Sequence, residues 1–342
     1  MNNDYKIVFV TNVPSFYKLN LYNKLANRTN ILVLFCSKPD ATRNADFVKG
    51  SYNFNYLDIS SLNIVMKLFW ILRFIWKNKY NELIVGGWDI LEYWLFVFFS
   101  FKKKNALVLE SSYYESISTG IKGFVKKLFL SRVSTVYASG KSNKDLAESL
   151  GFKGKIKITH GVGLFNIIKQ PEYQCRNVVK NFLYVGRFVK VKNLKLLVSV
   201  FNKHPELTLN MVGFGPLEKE LKVIAKENII FHGAVDNKKL PTIYQSNDVF
   251  ILPSYSEPWG LVVEEALNNG TPIILSNRIG CKDDLLDANG VEFQCDSEES
   301  LHNAIEKIVR LDFYNSLRLN ISKMNFEDIA NKQISVYINK DN

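Results

Sequence analysis

The chain has 342 residues, of which 47% are hydrophobic and 23% are charged. This length provides for two domains of roughly 150 residues each, and the composition excludes a disordered, collagen-like or disulfide-stapled protein. Of the net charge of +11, residues 1–170 carry 24 Lys and Arg against 11 Asp and Glu, whereas residues 171–342 carry 20 against 22, so the excess positive charge indicates a polyanionic partner for the first half.

Signals for export or metal binding are few. The four cysteines lie far apart with no CxxC pair, so we expect reduced thiols, a cytosolic setting and no structural zinc. The N-terminus MNNDYKIVFVTN contains an acid and only a short apolar run, which predicts a first strand and not a signal peptide. No segment has the about 20 apolar residues of a membrane span. We therefore expect a soluble or peripheral membrane protein in the cytoplasm.

Short runs rich in Val, Ile, Leu and Phe alternate with longer segments of helical character. This alternation predicts parallel sheets with crossover helices. The predicted strands are 6–12, 31–37, 82–87, 106–111, 135–140 and 156–161 in the first half, and 182–187, 207–213, 228–233, 249–254 and 272–277 in the second. Most of them end in Gly, Ser or Asn, and open α/β sheets bind ligands beyond the carboxyl ends of their strands.

A polar stretch over 165–181, which contains Pro171, separates the two series of strands. We therefore predict an α/β protein with two doubly wound, Rossmann-like domains at 1–170 and 171–325. Two such domains are expected to face each other across a cleft, a common place for a small-molecule site. The segment 326–342 is predicted to be a C-terminal helix that packs back on the first domain.

The segment 64–77 carries an apolar stripe bordered by basic residues. At helical spacing the members of this stripe and its border are Met66, Trp70, Phe74, Lys67, Arg73 and Lys77. The segment 120–132 adds Lys122, Lys126 and Lys127. Such a surface favours an anionic membrane as the partner, with a core helix and solvated lysines as the alternative interpretation. No recognised binding motif accompanies the charge, so nucleic acid is not expected.

The second half begins with the strand FLYVGR, which ends in Gly186 and Arg187. Lys192 follows just before a helix. An Arg can hold a diphosphate with a fork of donors, and a Lys adds a point charge. A second strand is followed by Gly213 and Gly215, where bare backbone lets a ligand come close, although turn glycines are the simpler interpretation.

The segment PSYSEPWGLVVEEALNNG is the most informative one. A strand ends at its start, a loop carries Glu257, and Gly260 opens a helix. The free amides of Gly260, Leu261 and Val262 and the positive end of the helix dipole suit a phosphate. Glu265 lies one turn after Leu261 on the same face. Two carboxylates beside a helix start indicate a ligand that is rich in both hydroxyls and phosphate.

Four stretches in this order, VGRFVKVKN, VGFGPLEKEL, FHGAV and DVFILPSYSEPWGLVVEEALNNGTPII, closely resemble the retaining glycosyltransferases of family 4, which have the GT-B fold. The resemblance is strong over about residues 180–295 and weak in the first half. It implies transfer of a sugar from a nucleotide-diphosphate sugar with retention of configuration. It further implies a glycan or glycolipid acceptor, no metal cofactor and a peripheral position on the inner face of the plasma membrane.

The resemblance also assigns roles to residues. Arg187 and Lys192 would hold the diphosphate, Glu257 the sugar hydroxyls and Glu265 the ribose. The donor side would further include Gly186, Gly213, Gly215, Val235 beside the base, Gly260, Leu261 and Val262. The acceptor side is expected at Asn12, Tyr17, Lys18, Glu110 and Ser111.

The first half departs from the family pattern. It has no Gly-rich loop after the first strand, and Gly163 stands where the family often has an aspartate. Two alternatives therefore stay open at this point: another GT-B enzyme such as a nucleotide-sugar epimerase, and a non-catalytic partner subunit that keeps the fold.

Overall fold

The computed structural model describes residues 4–39 and 45–339. The chain divides into two compact units. The first contains the residues up to Asn166 together with those from Asp328 onward, and the second is Ile167–Glu327. The boundary therefore lies a few residues before the predicted position of 170, and the last helix carries the chain back into the first unit.

The first unit is built on one parallel sheet. Its strands are Asp4–Thr11 (β1), Ile31–Phe35 (β2), Asn55–Asp58 (β3), Lys79–Val85 (β4), Asn105–Leu109 (β5), Thr135–Ala138 (β6) and Lys155–Ile158 (β7). Among the described residues these seven strands lie in the order β3-β2-β1-β4-β5-β6-β7. The order reverses between β1 and β4, as in a doubly wound fold.

Helices cover both faces of this sheet. They are Phe16–Ala26 (α1), Ile64–Lys77 (α2), Leu91–Phe99 (α3), Gly120–Leu130 (α4), Lys141–Ser149 (α5) and, at the end of the chain, Phe326–Ile338 (α13). Helices α2 to α5 share one hydrophobic cluster with the sheet, in which Ile71, Phe96, Phe129 and Leu146 are buried. On the other face Phe9 packs against Tyr22 and Tyr337, with ring centroids 4.9 and 5.7 Å apart.

The second unit has the same plan. Its strands are Asn181–Val185 (β8), Thr208–Val212 (β9), Ile229–Gly233 (β10), Val249–Leu252 (β11), Ile273–Ser276 (β12) and Gly290–Phe293 (β13). They form a parallel sheet in the order β10-β9-β8-β11-β12-β13. Its helices before α13 are Leu194–Phe201 (α6), Glu218–Ile224 (α7), Leu240–Ser246 (α8), Leu261–Asn268 (α9), Lys282–Leu285 (α10), Glu298–Ile308 (α11) and Leu311–Ile321 (α12).

The predicted fold class, two Rossmann-like α/β domains, is confirmed. Every predicted strand is found, with ends shifted by a few residues, but β3 and β13 were not predicted. Both are edge strands of four residues, and all four residues of β3 are exposed. An edge strand needs no continuous apolar run, which is the signal that reveals a buried strand.

No helix in the described ranges combines the length and the apolarity that a membrane crossing requires.

Candidate functional site

In the sheet of the second unit, the order in which strands are added reverses between β8 and β11. These two strands are hydrogen-bonded neighbours, although three helices and two strands separate them along the chain. In open α/β sheets this switch point leaves a crevice beyond the carboxyl ends of the two strands. Arg187 and Lys192 follow β8, and Glu257 follows β11. The fold therefore brings these three predicted site residues to one edge of the sheet.

Lys192 and Glu257 contact each other directly. The ammonium group of Lys192 donates to the carboxylate of Glu257, and the two side chains are only 15% and 17% exposed. Their loops are also joined through the backbone, because the amide of Tyr255 donates to the carbonyl of Val191 at 2.8 Å. With water largely displaced, the two opposite charges interact more strongly than a surface pair does. A ligand bound here would contact a cation and a hydrogen-bond acceptor that hold each other in position.

The loop that carries Lys192 is rigidly anchored. Lys192 ends a single 3₁₀ turn, Lys190–Lys192. Asn193 has a φ of 55°, a left-handed conformation that Asn tolerates better than most residues. Its side-chain amide donates to the carbonyl of Cys295 at 2.6 Å, and α6 begins at the next residue. The Lys192 side chain therefore starts from a fixed backbone.

The Glu257 loop is fixed from the opposite side. Glu257 forms an isolated parallel bridge with Ile279, and its carbonyl accepts a hydrogen bond from the amide of Gly280 at 2.9 Å. A β-carbon on Gly280 would lie 1.8 Å from the carbonyl oxygen of Pro258. Only glycine therefore lets the two segments lie this close. Gly280 was not predicted from the sequence, since its role depends on where the Glu257 loop lies.

Arg187 exposes its side chain beyond the end of β8. Its carbonyl accepts a hydrogen bond from the phenol of buried Tyr184 at 3.0 Å. Burial, followed by the nearby carboxylate of Glu257, raises the pKa of Tyr184 well above its ordinary value, and Arg187 opposes this rise. The phenol stays protonated and keeps its bond to the loop. Tyr184 was not predicted as a site residue because its sequence position indicates only a core aromatic.

The predicted glycines bring the ends of β8 and β9 together. A β-carbon on Gly213 would lie 1.9 Å from the carbonyl oxygen of Gly186, and one on Gly215 would lie 2.5 Å from the carbonyl oxygen of Phe188. Gly213 also has a φ of 134°, which side chains rarely allow. The structure thus gives these glycines a packing role between two loops, and their contact with a donor stays a prediction.

Helix α9 begins beside Glu257. Gly260, which precedes it, has a φ of 107°, and a β-carbon there would lie 3.5 Å from Cγ of Glu257. The amides of Leu261 and Val262 belong to the first turn, where N–H groups find no partner within the helix. The amide of Val263 instead bonds to the carbonyl of Gly260 at 2.8 Å. This helix end carries positive dipole charge close to the Glu257 loop.

Two carboxylates in α9 are held by aromatic side chains. Glu264 is buried and accepts a hydrogen bond from the indole of Trp259 at 2.8 Å. Burial raises the pKa of Glu264 to about 8, and the bond from Trp259 opposes this rise. Glu264 and Trp259 were not predicted, since a buried acid gives no signal in the sequence. Together they fix the loop that links Glu257 to α9.

Glu265 faces the other side of α9, is half-buried and accepts a hydrogen bond from the phenol of Tyr244 at 3.1 Å. Burial raises the pKa of Glu265 to about 7, and the bond from Tyr244 opposes the rise. The carboxyl therefore holds its proton more tightly than an ordinary glutamate does. Val235 lies half-buried in the loop between β10 and α8, at the same edge of the sheet.

The first unit has its own polar pair close to the switch point of its sheet. Lys18 of α1 lies 3.0 Å from the carboxylate of Glu110, which follows β5. The side chain of Lys18 is 9% exposed and that of Glu110 is 26% exposed. Burial alone would lower the pKa of Lys18, but Glu110 and neighbouring tyrosines hold it well above its usual value. The structure thus brings together two of the five predicted acceptor-side residues.

The other three acceptor-side residues have local roles. The Asn12 side chain accepts from the amide of Val13 at 2.8 Å, and the Ser111 carbonyl accepts from the amide group of Asn143 at 2.8 Å. Tyr17 lies against Gly163, where a β-carbon would come within 2.8 Å of the Tyr17 carbonyl oxygen. Tyr17 therefore excludes the aspartate that the family often has at position 163.

The structure contradicts the predicted membrane stripe of α2 at Phe74 and Lys67, although the helix exposes other apolar residues, among them Phe69 at 68% and Trp76 at 86%. Phe74 is 5% exposed, and its ring stacks on Trp70 with centroids 5.2 Å apart. Lys67 turns inward, where it pairs with Glu92 and donates to the carbonyl of Cys36. Arg73 and Lys77 are exposed as predicted, together with Met66. The helix is apolar on most of its circumference, so its spacing could not decide which apolar face turns inward.

Helix α4 carries a further exposed apolar surface, which was not predicted. The exposed residues follow helical spacing and are Ile121, Phe124, Val125 and Leu128, of which Ile121 is 85% and Phe124 68% exposed. Lys122 and Lys127 are exposed beside them. Lys126 is half-buried and donates to Ser116 and to the carbonyl of Ile117. The spacing of these apolar residues was readable in the sequence.

Comparison with known proteins gives one family and several relatives. Residues 167–327 match the family model described as Glycosyl transferases group 1. The chain is 30% identical over 244 residues to the uncharacterized 41.2 kDa protein in the cps region of Klebsiella pneumoniae, covering 65% of this chain and 66% of that protein. It is 30% identical over 198 residues to the O-antigen biosynthesis glycosyltransferase WbnH of Escherichia coli, covering 57% and 55%. The matches thus span less than two thirds of the length of these relatives.

The fold resembles that of a solved structure, Anabaena Alr3699/HepE in complex with UDP and glucose. The TM-score is 0.67 at 13% identity, covering 98% of this chain and 96% of that one. At this identity the likeness concerns the fold alone. It confirms the GT-B class that was predicted from the sequence.

Proposed function

We propose that the chain, in which residues 167–327 match the family described as Glycosyl transferases group 1, transfers a sugar from a nucleotide-diphosphate sugar to a glycan or glycolipid acceptor. The observation that carries this proposal is the Lys192–Glu257 pair at the switch point of the second sheet, beside the start of α9. The cation of Lys192 and the free helix amides match the diphosphate of such a nucleotide sugar, and the carboxylate of Glu257 can accept hydrogen bonds from its hydroxyls.

Each donor group has a partner in this site. The exposed Arg187 and the anchored Lys192 hold the diphosphate, with the amides of Leu261 and Val262 as further donors. Glu257 accepts from sugar hydroxyls, and ionised Glu265 accepts from the ribose. A uridine nucleotide is the first to test, because the Anabaena protein was solved with UDP and glucose.

We propose transfer with retention of configuration. The bond between the anomeric carbon and the diphosphate oxygen breaks, and the acceptor hydroxyl forms its new bond from the same face. The acceptor proton passes to the departing phosphate oxygen. Negative charge builds up on the diphosphate as it leaves, so Arg187 and Lys192 supply the stabilisation that matters most. We further propose that catalysis is independent of a metal, because these two cations provide the charge.

The acceptor proposal draws on the relatives. One is named for O-antigen biosynthesis and another for a cps region, so a polysaccharide or lipid-linked acceptor is the first to test. The basic first unit and the exposed apolar residues of α4 support a peripheral position on an anionic membrane, at its cytoplasmic face. The Lys18–Glu110 pair marks the acceptor side.

The test is an assay of purified protein with uridine, adenosine, guanosine and thymidine diphosphate sugars, each with and without a lipid-linked acceptor. We expect release of the nucleotide diphosphate, with the anomeric configuration of the product, read by NMR, equal to that of the donor. EDTA should leave the rate unchanged. An epimerised free sugar nucleotide would instead support the epimerase alternative, and binding without turnover of any donor would support a non-catalytic subunit.

A further inference from the structure

Helices α6 and α11 pack together in the second unit. Three potential metal ligands lie close to one another at this contact. His302 and Glu306 stand one turn apart on α11, so they share a face of that helix. His204 lies just after the end of α6. The ligand atoms of the three side chains all lie within 4.8 Å of one another, and this is the one such group of His, Cys, Asp or Glu found among the described residues.

The buried His204 is held in a defined orientation. Its Nδ1 lies 2.9 Å from a carboxylate oxygen of Glu206, and its Nε2 lies 2.9 Å from Nδ1 of His302. A carboxylate only accepts hydrogen bonds, so Nδ1 of His204 carries a proton, and in the neutral ring Nε2 presents its lone pair. Metal-binding histidines are held in this way, with a carboxylate behind the ring that fixes the tautomer.

We propose that His204, His302 and Glu306 bind one divalent transition-metal ion of the zinc class. Two imidazole nitrogens and one carboxylate oxygen suit zinc, whereas magnesium and calcium prefer oxygen ligands alone. Two nitrogens at about 2.0 Å from a tetrahedral zinc ion are roughly 3.3 Å apart. The two nitrogens now lie 2.9 Å apart, so to reach this separation the exposed His302 ring needs to move by only a few tenths of an ångström.

Such an ion would join two helices whose starts position the proposed site. Helix α6 begins directly after the Lys192–Asn193 loop, and the side chain of Asn193 bonds to Cys295, three residues before α11. The ion would sit beyond the far end of α6, a helix about 12 Å long. Its role is to stabilise the second unit and not to take part in sugar transfer, so the inference does not depend on the proposed function.

The experiment is a calorimetric titration of zinc chloride into the metal-free full-length protein, combined with thermal denaturation. We expect one equivalent bound and a higher melting temperature with zinc. Cobalt(II) in place of zinc should give the visible absorption of a four-coordinate nitrogen–oxygen site. Glu306→Gln and His302→Ala should weaken zinc binding at least tenfold, and Glu299→Gln, an exposed acid on the same helix, is the matched control.

Glu206→Gln tests the positioning role behind His204. Its affinity for zinc should fall about 10–100-fold, while the unfolding temperature of the metal-free protein stays close to that of wild type. The inference is overturned if zinc does not bind below millimolar concentrations. It is equally overturned if His302→Ala and Glu306→Gln bind zinc as wild type does, since the ion would then bind elsewhere, for example at the exposed thiol of Cys175.

Discussion

The ammonium group of Lys192 contacts the carboxylate of Glu257, although 65 residues separate them in the chain. Each charge satisfies the other at the point where β8 and β11 end. A diphosphate that draws Lys192 toward itself would free the Glu257 carboxylate to accept from sugar hydroxyls. In the proposed function the pair would thus couple the two halves of the donor, with one member for the phosphate and one for the sugar.

Replacing either member should slow transfer severely. We expect Lys192→Ala and Glu257→Ala each to lower the turnover rate by about 10²–10³-fold, as loss of one preorganised charge at the reacting group does. Lys192→Ala should also lower the free energy of unfolding by about 1–3 kcal/mol, because it leaves a largely buried carboxylate without its partner. Steady-state kinetics and urea denaturation measure the two effects.

Lys195→Ala provides the control for this prediction. Lys195 forms an ion pair with Glu220 in which the side chains are 56% and 49% exposed, and exposed pairs contribute little. Turnover of Lys195→Ala should equal that of wild type. Normal turnover by folded Lys192→Ala would falsify the assignment of the site.

Donor affinity should depend on pH through Glu265. Burial raises its pKa to about 7, and only the ionised carboxylate accepts from two ribose hydroxyls. UDP should therefore bind more tightly above about pH 7 than below it. Tyr244→Phe removes the hydrogen bond that opposes the rise, so the midpoint should move to higher pH. Calorimetric titration with UDP at several pH values measures this.

Glu265→Gln is the reference for that experiment because the phosphate of UDP also titrates near neutrality. The ratio of the wild-type to the Glu265→Gln affinity isolates the carboxyl group. A ratio that does not change between roughly pH 5.5 and 8.5 would contradict the role of Glu265.

The stability of the second unit should fall as pH rises, owing to Glu264. Burial raises the pKa of Glu264 to about 8 from its ordinary value of 4.5. The folded state therefore holds the proton more tightly than the unfolded state, and the stabilisation is full below about pH 4.5 and is lost between about 4.5 and 8. Glu264→Gln keeps a hydrogen-bond acceptor for Trp259. It should reduce the change in the free energy of unfolding across this pH range by a few kcal/mol. Urea denaturation across this pH range measures the pH dependence of the free energy of unfolding, with Glu299→Gln as the exposed control. Parallel curves for Glu264→Gln and wild type would refute the interpretation.

The close approach of the β8 and β9 loops should make Gly213 irreplaceable. A β-carbon there would meet the Gly186 carbonyl oxygen at 1.9 Å, and neither backbone can yield without moving a strand end. We expect Gly213→Ala to cost about 3 kcal/mol or more of unfolding free energy and to weaken UDP binding. Gly233 has a φ of 69° and open space around its β-carbon position, so Gly233→Ala adds backbone strain alone. Its cost should be about 1 kcal/mol, and equal costs for the two variants would contradict the packing role.

The sequence predicts which charged residues meet at the switch point of the second sheet, because they follow buried strands. A continuous apolar run that ends in Gly or Ser marks where β8 and β11 stop, and topology then places Arg187, Lys192 and Glu257 together. The groups that hold these residues escape prediction. Tyr184, Tyr244 and Trp259 look like core aromatics, since only distances reveal which polar atom each of them binds.

The error in α2 has a different cause. Helical spacing defines faces but does not rank them when most of the circumference is apolar. Trp70 and Phe74 turn inward because Phe74 packs on Phe96 of α3, and Lys67 follows them because Glu92 of α3 supplies a buried partner. Both reasons involve a second helix, so no pattern within 64–77 contains them.

Membrane binding should depend on α4 and not on the inward stripe of α2. A helix with exposed apolar residues beside lysines binds an anionic surface by insertion and by charge, and each Lys near the lipid contributes about 1 kcal/mol. We expect the double variant Ile121→Ser, Phe124→Ser to lose most of its sedimentation with vesicles that contain anionic lipid. Val223→Ser is the control, since Val223 is equally exposed at 85% but lies in the near-neutral second unit. Replacing Lys122 and Lys127 by Gln should weaken binding most at low salt. Binding that needs no anionic lipid, survives high salt and is unchanged by the α4 variants would exclude this surface as the membrane contact.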